Sequence, residues 1–254
     1  LDALIFTPGR NRKIRLLKTY FEKTPSPDRG WGLAAVTGNL DFPNVKASLI
    51  RKSIEPRVDQ SLFEYSYHYV GDMAETASLM WPRSEGAADL DDISLNEVVE
   101  RLLGVSSKDS RKELETLLDG FDSRERYALL KLITGGLRVG VSARLAKSAL
   151  AEFGNVRVEE IEEVWHGLEA PYTSLFDWLE GKADKPSLEN VPYFRPLMLA
   201  TPLDEDNLDK LSPEDFIAEW KWDGIRAQIV GRGSPDNSRL YSRAGEDISS
   251  AFPD

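Results

Sequence analysis

Apolar residues recur three and four positions apart through roughly the first 180 residues, and the pattern turns to alternation only after that. Spacing of three and four lines one face of a helix, whereas alternation lines one face of a strand. Ile14, Leu17 and Phe21 predict a helix over Arg12–Lys23, ended by Pro25 and Pro27. Shorter helices are predicted over Gly32–Thr37 and Val45–Ile54, the second stopping before Pro56. The stretch Gln60–Tyr69 carries Phe63, Tyr65, Tyr67 and Tyr69. Such aromatic content suits a strand, but its length and helical neighbours favour a helix. Asp72 is placed to cap a helix running to Trp81 and ended by Pro82, and the polar residues 83–92 follow as a loop. Ser94 with Glu97 forms a capping-box pattern for a helix through Leu103. Ser107 or Asp109 opens the next, to Leu118, with Gly120 as its stop. Asp122 with Glu125 caps a helix through Ile133, broken by Gly135-Gly136, and Ser142 caps one over Ala143–Phe153. Val158–Leu168 and Leu175–Leu179 complete the set, with no fixed period that would indicate a solenoid.

The stretch 181–192 is polar, contains proline and has no period, as a linker does. Beyond it, Phe216-Ile217-Ala218 and Ala227-Gln228-Ile229-Val230 both alternate and are predicted as strands. The expected organisation is therefore mostly α: an all-helical domain over 1–180, a linker over 181–192, and the first strands of an α+β domain over 193–254. Between the two strands stands Glu219-Trp220-Lys221-Trp222-Asp223-Gly224-Ile225-Arg226. Asp-Gly favours a tight turn, which puts Lys221 at a strand–turn–strand junction. Its two tryptophan neighbours could partly desolvate the ammonium and favour the neutral amine that a nucleophilic lysine must present. On residue types alone, a solvated surface lysine beside a turn is the weightier reading.

A second segment stands out within the helical part. Gly135, Gly136 and Gly140 fall within six residues, just ahead of the helix capped by Ser142. Exposed backbone N–H groups there would meet an anion at the favourable end of a helix dipole. Lys131, Arg138, Arg144 and Lys147 add charge around it. The alternative is a packing joint at which glycine lets two helices approach closely.

Charge sharpens this picture. The net charge is −11, yet residues 1–57 hold eleven Lys and Arg against five Asp and Glu, and residues 122–157 hold seven against three. A basic face on an acidic protein is thus permitted. With 254 residues, 41% hydrophobic and 30% charged, the chain has room for one large or two modest domains of ordinary soluble type. No apolar run approaches the ~20 residues of a membrane helix. The first residues are too acidic and their apolar run too short for a signal peptide, and cysteine is absent, so neither a disulfide framework nor a thiolate metal site is expected. His68 and His166 stand isolated, so no metal site is expected within these residues. A cytoplasmic monomer is the default expectation.

Lys221-x-Asp223-Gly224-x-Arg226 resembles motif I of the covalent nucleotidyltransferases: ATP-dependent DNA ligases, RNA ligases and capping enzymes. Tyr241-Ser242-Arg243-Ala244-Gly245-Glu246-Asp247 with Phe252-Pro253-Asp254 resembles a later ligase segment. Gly135-Gly136-Leu137-Arg138-Val139-Gly140 resembles the signature of the helical DNA-binding domain of ATP-dependent DNA ligases. Pro196-Leu197-Met198-Leu199-Ala200 resembles the opening of their adenylation domain. The four matches fall in that family's order, and RNA ligases and capping enzymes lack the helical module. The resemblance implies a ligase that seals nicks in duplex DNA in replication, repair or recombination, using ATP and Mg²⁺. It implies Lys221 as the residue that carries AMP, with Glu219 at the adenine, Arg226 at the ribose side and Arg243 at a phosphate. It implies DNA-backbone contacts from Lys131, Gly135, Gly136, Arg138, Gly140, Arg144 and Lys147, with nicked double-stranded DNA as the partner. Only 33 residues follow Lys221, so the motifs that complete the nucleotide pocket in that family are expected elsewhere. The other reading of these residues is an isolated DNA-binding module with an incomplete, inactive catalytic domain.

Overall fold

The computed structural model describes residues 2–82, 90, 92–135, 137, 139–187, 192–195, 201–231, 238–243 and 247–252. Twelve α-helices and one two-stranded sheet lie among the described residues, which makes the chain mostly α. It separates into two units, one formed by Leu1–Glu162 with Leu168–Pro186 and the other by Glu163–Gly167 with Ser187–Asp254.

The first unit holds α1 (Asp2–Ile5), α2 (Arg10–Lys23), α3 (Asp28–Thr37), α4 (Ala47–Ile54), α5 (Gln60–Val70), α6 (Met73–Met80), α7 (Leu95–Gly104), α8 (Ser110–Gly120), α9 (Ser123–Thr134), α10 (Ala143–Gly154), most of α11 (Val158–Trp165) and α12 (Thr173–Leu179). The local signals act as their chemistry requires. Asp72 accepts from the Glu75 N–H, and both Ser94/Glu97 and Asp122/Glu125 close reciprocal capping boxes. Ser142 caps α10 through the Leu145 N–H. Gly135 ends α9 in the left-handed region, at φ 65°, a conformation that costs glycine little. The aromatic stretch at 60–70 is helical, as its length and neighbours favoured, with Phe63 buried. The 83–92 loop lies outside the described residues except for Leu90 and Asp92.

One half of this unit packs α2, α3, α10 and α12 around Phe21, Leu150, Leu175 and Phe176. At its centre lies a charge. Arg29 is 4% exposed, with its guanidinium 4.4 Å from the Phe176 ring centre and 5.6 Å from that of Phe153. It donates to both carboxylate oxygens of Glu180 at 2.8 and 2.7 Å, to the Phe21 carbonyl at 3.2 Å and to the Ser26 hydroxyl at 2.9 Å. A buried guanidinium is tolerated when its donors are met in this way. The other half packs α4, α6, α8 and α9 around Ile50, Ile54, Ala77, Leu114, Leu118 and Leu130. There Arg57 bridges Glu115 and Asp119 and stacks on Trp81, whose indole N–H also donates to Asp119.

In the second unit, β1 (Ala227–Gly231) pairs antiparallel with β2 (Ser238–Ser242), setting Ala227 opposite Ser242 and Ile229 opposite Leu240. Residues 247–252 fold back on β2: the Ile248 N–H donates to the Leu240 carbonyl, and the Leu240 N–H donates to the Ser249 hydroxyl. The strand expected at Phe216–Ala218 does not form, and the chain there is irregular and exposed. A segment becomes a strand only with a neighbour for its backbone groups, and among the described residues this one has none.

Because Arg29 and, next, Lys182 hydrogen-bond its carboxylate, Glu180 titrates at about 2 in the folded protein, well below an ordinary glutamate. A depressed carboxylate contributes stability above its unfolded pKa and loses it as pH falls through the folded one. The Glu180→Gln variant should therefore unfold at lower urea than the parent at pH 7, and the gap should narrow as pH falls from about 5 toward 2. Urea midpoints for both proteins across that range check it. A gap independent of pH would refute the role given to this pair.

Candidate functional site

Lys221 lies in an exposed irregular segment that leads directly into β1. Glu219, Asp223 and Arg226 in the same segment are also exposed. Trp220 and Trp222 are 84% and 86% exposed, so they do not enclose the amine. The expected desolvation by these rings is thereby corrected: nothing among the described residues covers either ring, and Lys221 itself is exposed. The Asp223-Gly224 pair makes an open bend instead of a tight hairpin turn, because Gly224 does not take a positive φ. A bend without strands on both sides has no twist to match.

The hairpin adds an arrangement that motif spacing alone did not supply. The ladder ends on the rung Ala227–Ser242, so Arg226 precedes and Arg243 follows that same end rung. Two exposed guanidiniums thus share the end of the hairpin that Lys221 leads into. Neither has an ion-pair partner among the described residues. Exposed arginines on both sides of one ladder end are suited to a bound anion. Residues 244–246 and 253–254, quoted above with Arg243, lie outside the described residues, as do Pro196–Ala200.

In the helical unit the expected site residues fall into two groups. Gly135, Gly140 and Arg144 are exposed; Gly136 and Arg138 lie outside the described residues. Lys131 is instead drawn into an ion pair with Asp72 and lies over the Tyr127 ring. Burial alone would raise the Asp72 carboxyl, but the hydrogen bonds from Lys131 and the Glu75 N–H hold it below its usual range. The Lys147 ammonium sits 3.0 Å from Glu162, with only 12% of the side chain exposed. These two lysines hold helices together.

The N-terminal end of α2 supplies charge that the motif reading missed. The Lys13 ammonium donates to the carbonyls of Val139 and Gly140 at 2.5 and 3.3 Å, and Arg10 donates to the Ser148 hydroxyl of α10 at 3.1 Å. Gly140 needs its hydrogen here: φ is +65°, and a Cβ would fall 2.4 Å from the Lys13 nitrogen. Arg12 and Arg15 are exposed and without an ion-pair partner among the described residues. Four basic residues within six, at 10, 12, 13 and 15, were the sequence signal. The fold joins that cluster to the glycine segment more than 120 residues later.

Residues 1–151 match the family model described as DNA ligase N terminus, and residues 197–254 match that of the ATP dependent DNA ligase domain. The chain is 26% identical to the DNA ligase of Nitrosopumilus maritimus, over 98% of this chain and 46% of that protein. It is 27% identical to the probable DNA ligase of Koribacter versatilis, over 100% of this chain and 45% of that one. The DNA ligase of Pyrobaculum arsenaticum is also 27% identical, with 100% of this chain and 47% of its own length aligned. The chain thus spans about half the length of the curated relatives it matches. With one family model covering more than half of the chain and a second following it in order, the chain belongs to the ATP-dependent DNA ligases.

Proposed function

We propose that the full-length protein seals nicks in duplex DNA through a lysine–AMP intermediate, with residues 1–254 providing DNA-backbone contacts and the nucleophile. The observation that carries the catalytic half is the Arg226–Arg243 pair at the end of the hairpin that Lys221 leads into. In this reading the neutral Lys221 Nζ attacks the α-phosphorus of ATP. A P–N bond forms as the P–O bond to pyrophosphate breaks, and AMP stays on the lysine. Glu219 accepts from the adenine amine, Arg226 meets the ribose side, and Arg243 meets the phosphate of AMP or of the nick. AMP then passes to the 5′-phosphate, and the 3′-hydroxyl displaces it to form the phosphodiester. Mg²⁺ would accompany the ATP phosphates and offset their charge. Among the described residues, no group of three or more His, Cys, Asp or Glu could hold a metal ion, so no protein ligand set is assigned to it.

The DNA half rests on the glycine segment 135–140 with Arg144 and, across the fold, Arg10, Arg12 and Arg15. Guanidiniums and backbone N–H groups meet phosphates, which carry no base identity. Lys131 and Lys147 contribute by fixing α9 and α10 through Asp72 and Glu162. No helix among the described residues is long and apolar enough to cross a membrane, and we place the protein in the cytoplasm as a monomer.

The lysine role is tested by intact mass after incubation of the full-length protein with ATP and Mg²⁺. Lys221→Ala should abolish the AMP adduct, and Lys221→Arg should do no better, because a guanidinium stays protonated. A normal adduct in Lys221→Ala would remove the assignment. The same measurement on residues 1–254 alone, together with fluorescence anisotropy on nicked duplex, separates the two halves: DNA binding without an adduct marks the chain as a binding module when isolated.

The DNA role predicts a salt dependence. Removing one cationic side chain from a phosphate should lower the slope of log affinity against log salt by about 0.9. Arg12→Ala with Arg144→Ala should therefore weaken binding to nicked duplexes of any sequence and flatten the slope by about 1.8 if both touch phosphate. Fluorescence anisotropy at several salt concentrations measures this, and an unchanged affinity and slope would refute the footprint.

A further inference from the structure

A two-stranded hairpin is marginal in water when nothing else supports it. The hairpin that carries Arg226 and Arg243 has a third partner, made by side chains. The Gln228 amide pairs with the backbone of Arg195 in both directions: the Arg195 N–H donates to Gln228 Oε1 at 2.7 Å, and Gln228 Nε2 donates to the Arg195 carbonyl at 2.9 Å. A primary amide that accepts and donates side by side reproduces what a neighbouring strand residue would offer. Across the hairpin from Gln228 is Tyr241, whose hydroxyl donates to the Pro192 carbonyl at 2.7 Å. Phe194, only 6% exposed, packs on the Tyr241 ring at 5.9 Å and on His166 at 5.4 Å. One cross-strand pair therefore grips both ends of residues 192–195.

The position of this grip matters. Gln228 and Tyr241 form the rung next to Ala227–Ser242, the end of the ladder that Arg226 and Arg243 adjoin. The gripped rung is one residue from that end rung, about 3.4 Å along the strands. We propose that Gln228 and Tyr241 are positioning residues for nucleotide transfer: by holding residues 192–195 as a surrogate strand, they fix the hairpin end at which Arg226 and Arg243 face the nucleotide. This rests on the reading of Lys221, Arg226 and Arg243 given above. Neither Gln228 nor Tyr241 touches the reacting atoms.

Four proteins test the grip: the full-length parent, Gln228→Met, Tyr241→Phe and the double variant. Gln228→Met keeps the side-chain length and removes both hydrogen bonds; Tyr241→Phe removes only the hydroxyl. The readout is the single-turnover rate of lysine–AMP formation per adenylatable site, with site number taken from the burst amplitude. Loss of alignment by a fraction of an ångström to about 1 Å should lower that rate by roughly 10- to 100-fold in Gln228→Met, with KM for ATP changed less than about threefold. Amide hydrogen exchange at Arg195 should quicken in the same variant, and the Tyr241→Phe rate should fall in the same direction. The double variant should fall by less than the product of the two single effects, as two parts of one device do. A merely structural role predicts fewer active sites with an unchanged rate per site, and that result would overturn the proposal. Multiplicative effects in the double variant would also overturn it. A parent protein that forms no AMP adduct would instead remove the catalytic reading beneath it.

Discussion

The half of the helical unit built on α2, α3, α10 and α12 depends on a buried cation. Arg29 sits between the Phe153 and Phe176 rings and directs its donors to Glu180, Ser26 and the Phe21 carbonyl. Through these contacts it joins α3 to the end of α2, to α10 and to the residue that closes α12. A burial of this kind does not stabilise by charge alone, since taking a guanidinium out of water is costly. Its effect is to make alternatives unfavourable: any slip of α12 would strand a charge among aromatic rings. Gly30, next in sequence, enforces the same docking sterically, because a Cβ there would meet the Pro171 carbonyl at 1.6 Å.

Much of this unit is written locally in the sequence. Capping residues at 72, 94, 122 and 142, prolines after α2 and Trp81, and the glycine after α9 fix where helices begin and end, and such signals act over only a few residues. The Arg29–Glu180 pair, 151 residues apart, carries no comparable signal. The link from Lys13 to the Gly140 carbonyl is equally hidden, although the basic cluster at 10–15 was visible as composition. Helix periodicity reports which face is buried and is silent about the partner.

The nucleotide segment shows the complementary case. Motif spacing singled out Lys221, Glu219, Arg226 and Arg243 for the proposed nucleotide site, while local propensity predicted too much regular structure around them. Alternation at 216–218 expresses a tendency to pair, and pairing is a property of two segments. The hairpin register, a long-range fact, is what brings the strand ends next to Arg226 and Arg243 to one rung, Ala227–Ser242. Gln228 illustrates the same limit, since alternation marks it only as a polar strand residue and says nothing of its hold on Arg195.

The uneven burial of the tryptophans has an optical consequence. Trp31, Trp81 and Trp165 are buried, whereas Trp220 and Trp222, on either side of Lys221, stand in solvent. Indole emission shifts to longer wavelength, and becomes accessible to collisional quenchers, as water reaches the ring. The red, quenchable part of the intrinsic fluorescence is thus dominated by the two rings flanking the proposed nucleophile. Any event that covers that lysine, whether a nucleotide, a DNA end or another part of the protein, is reported by the molecule's own light without an added label.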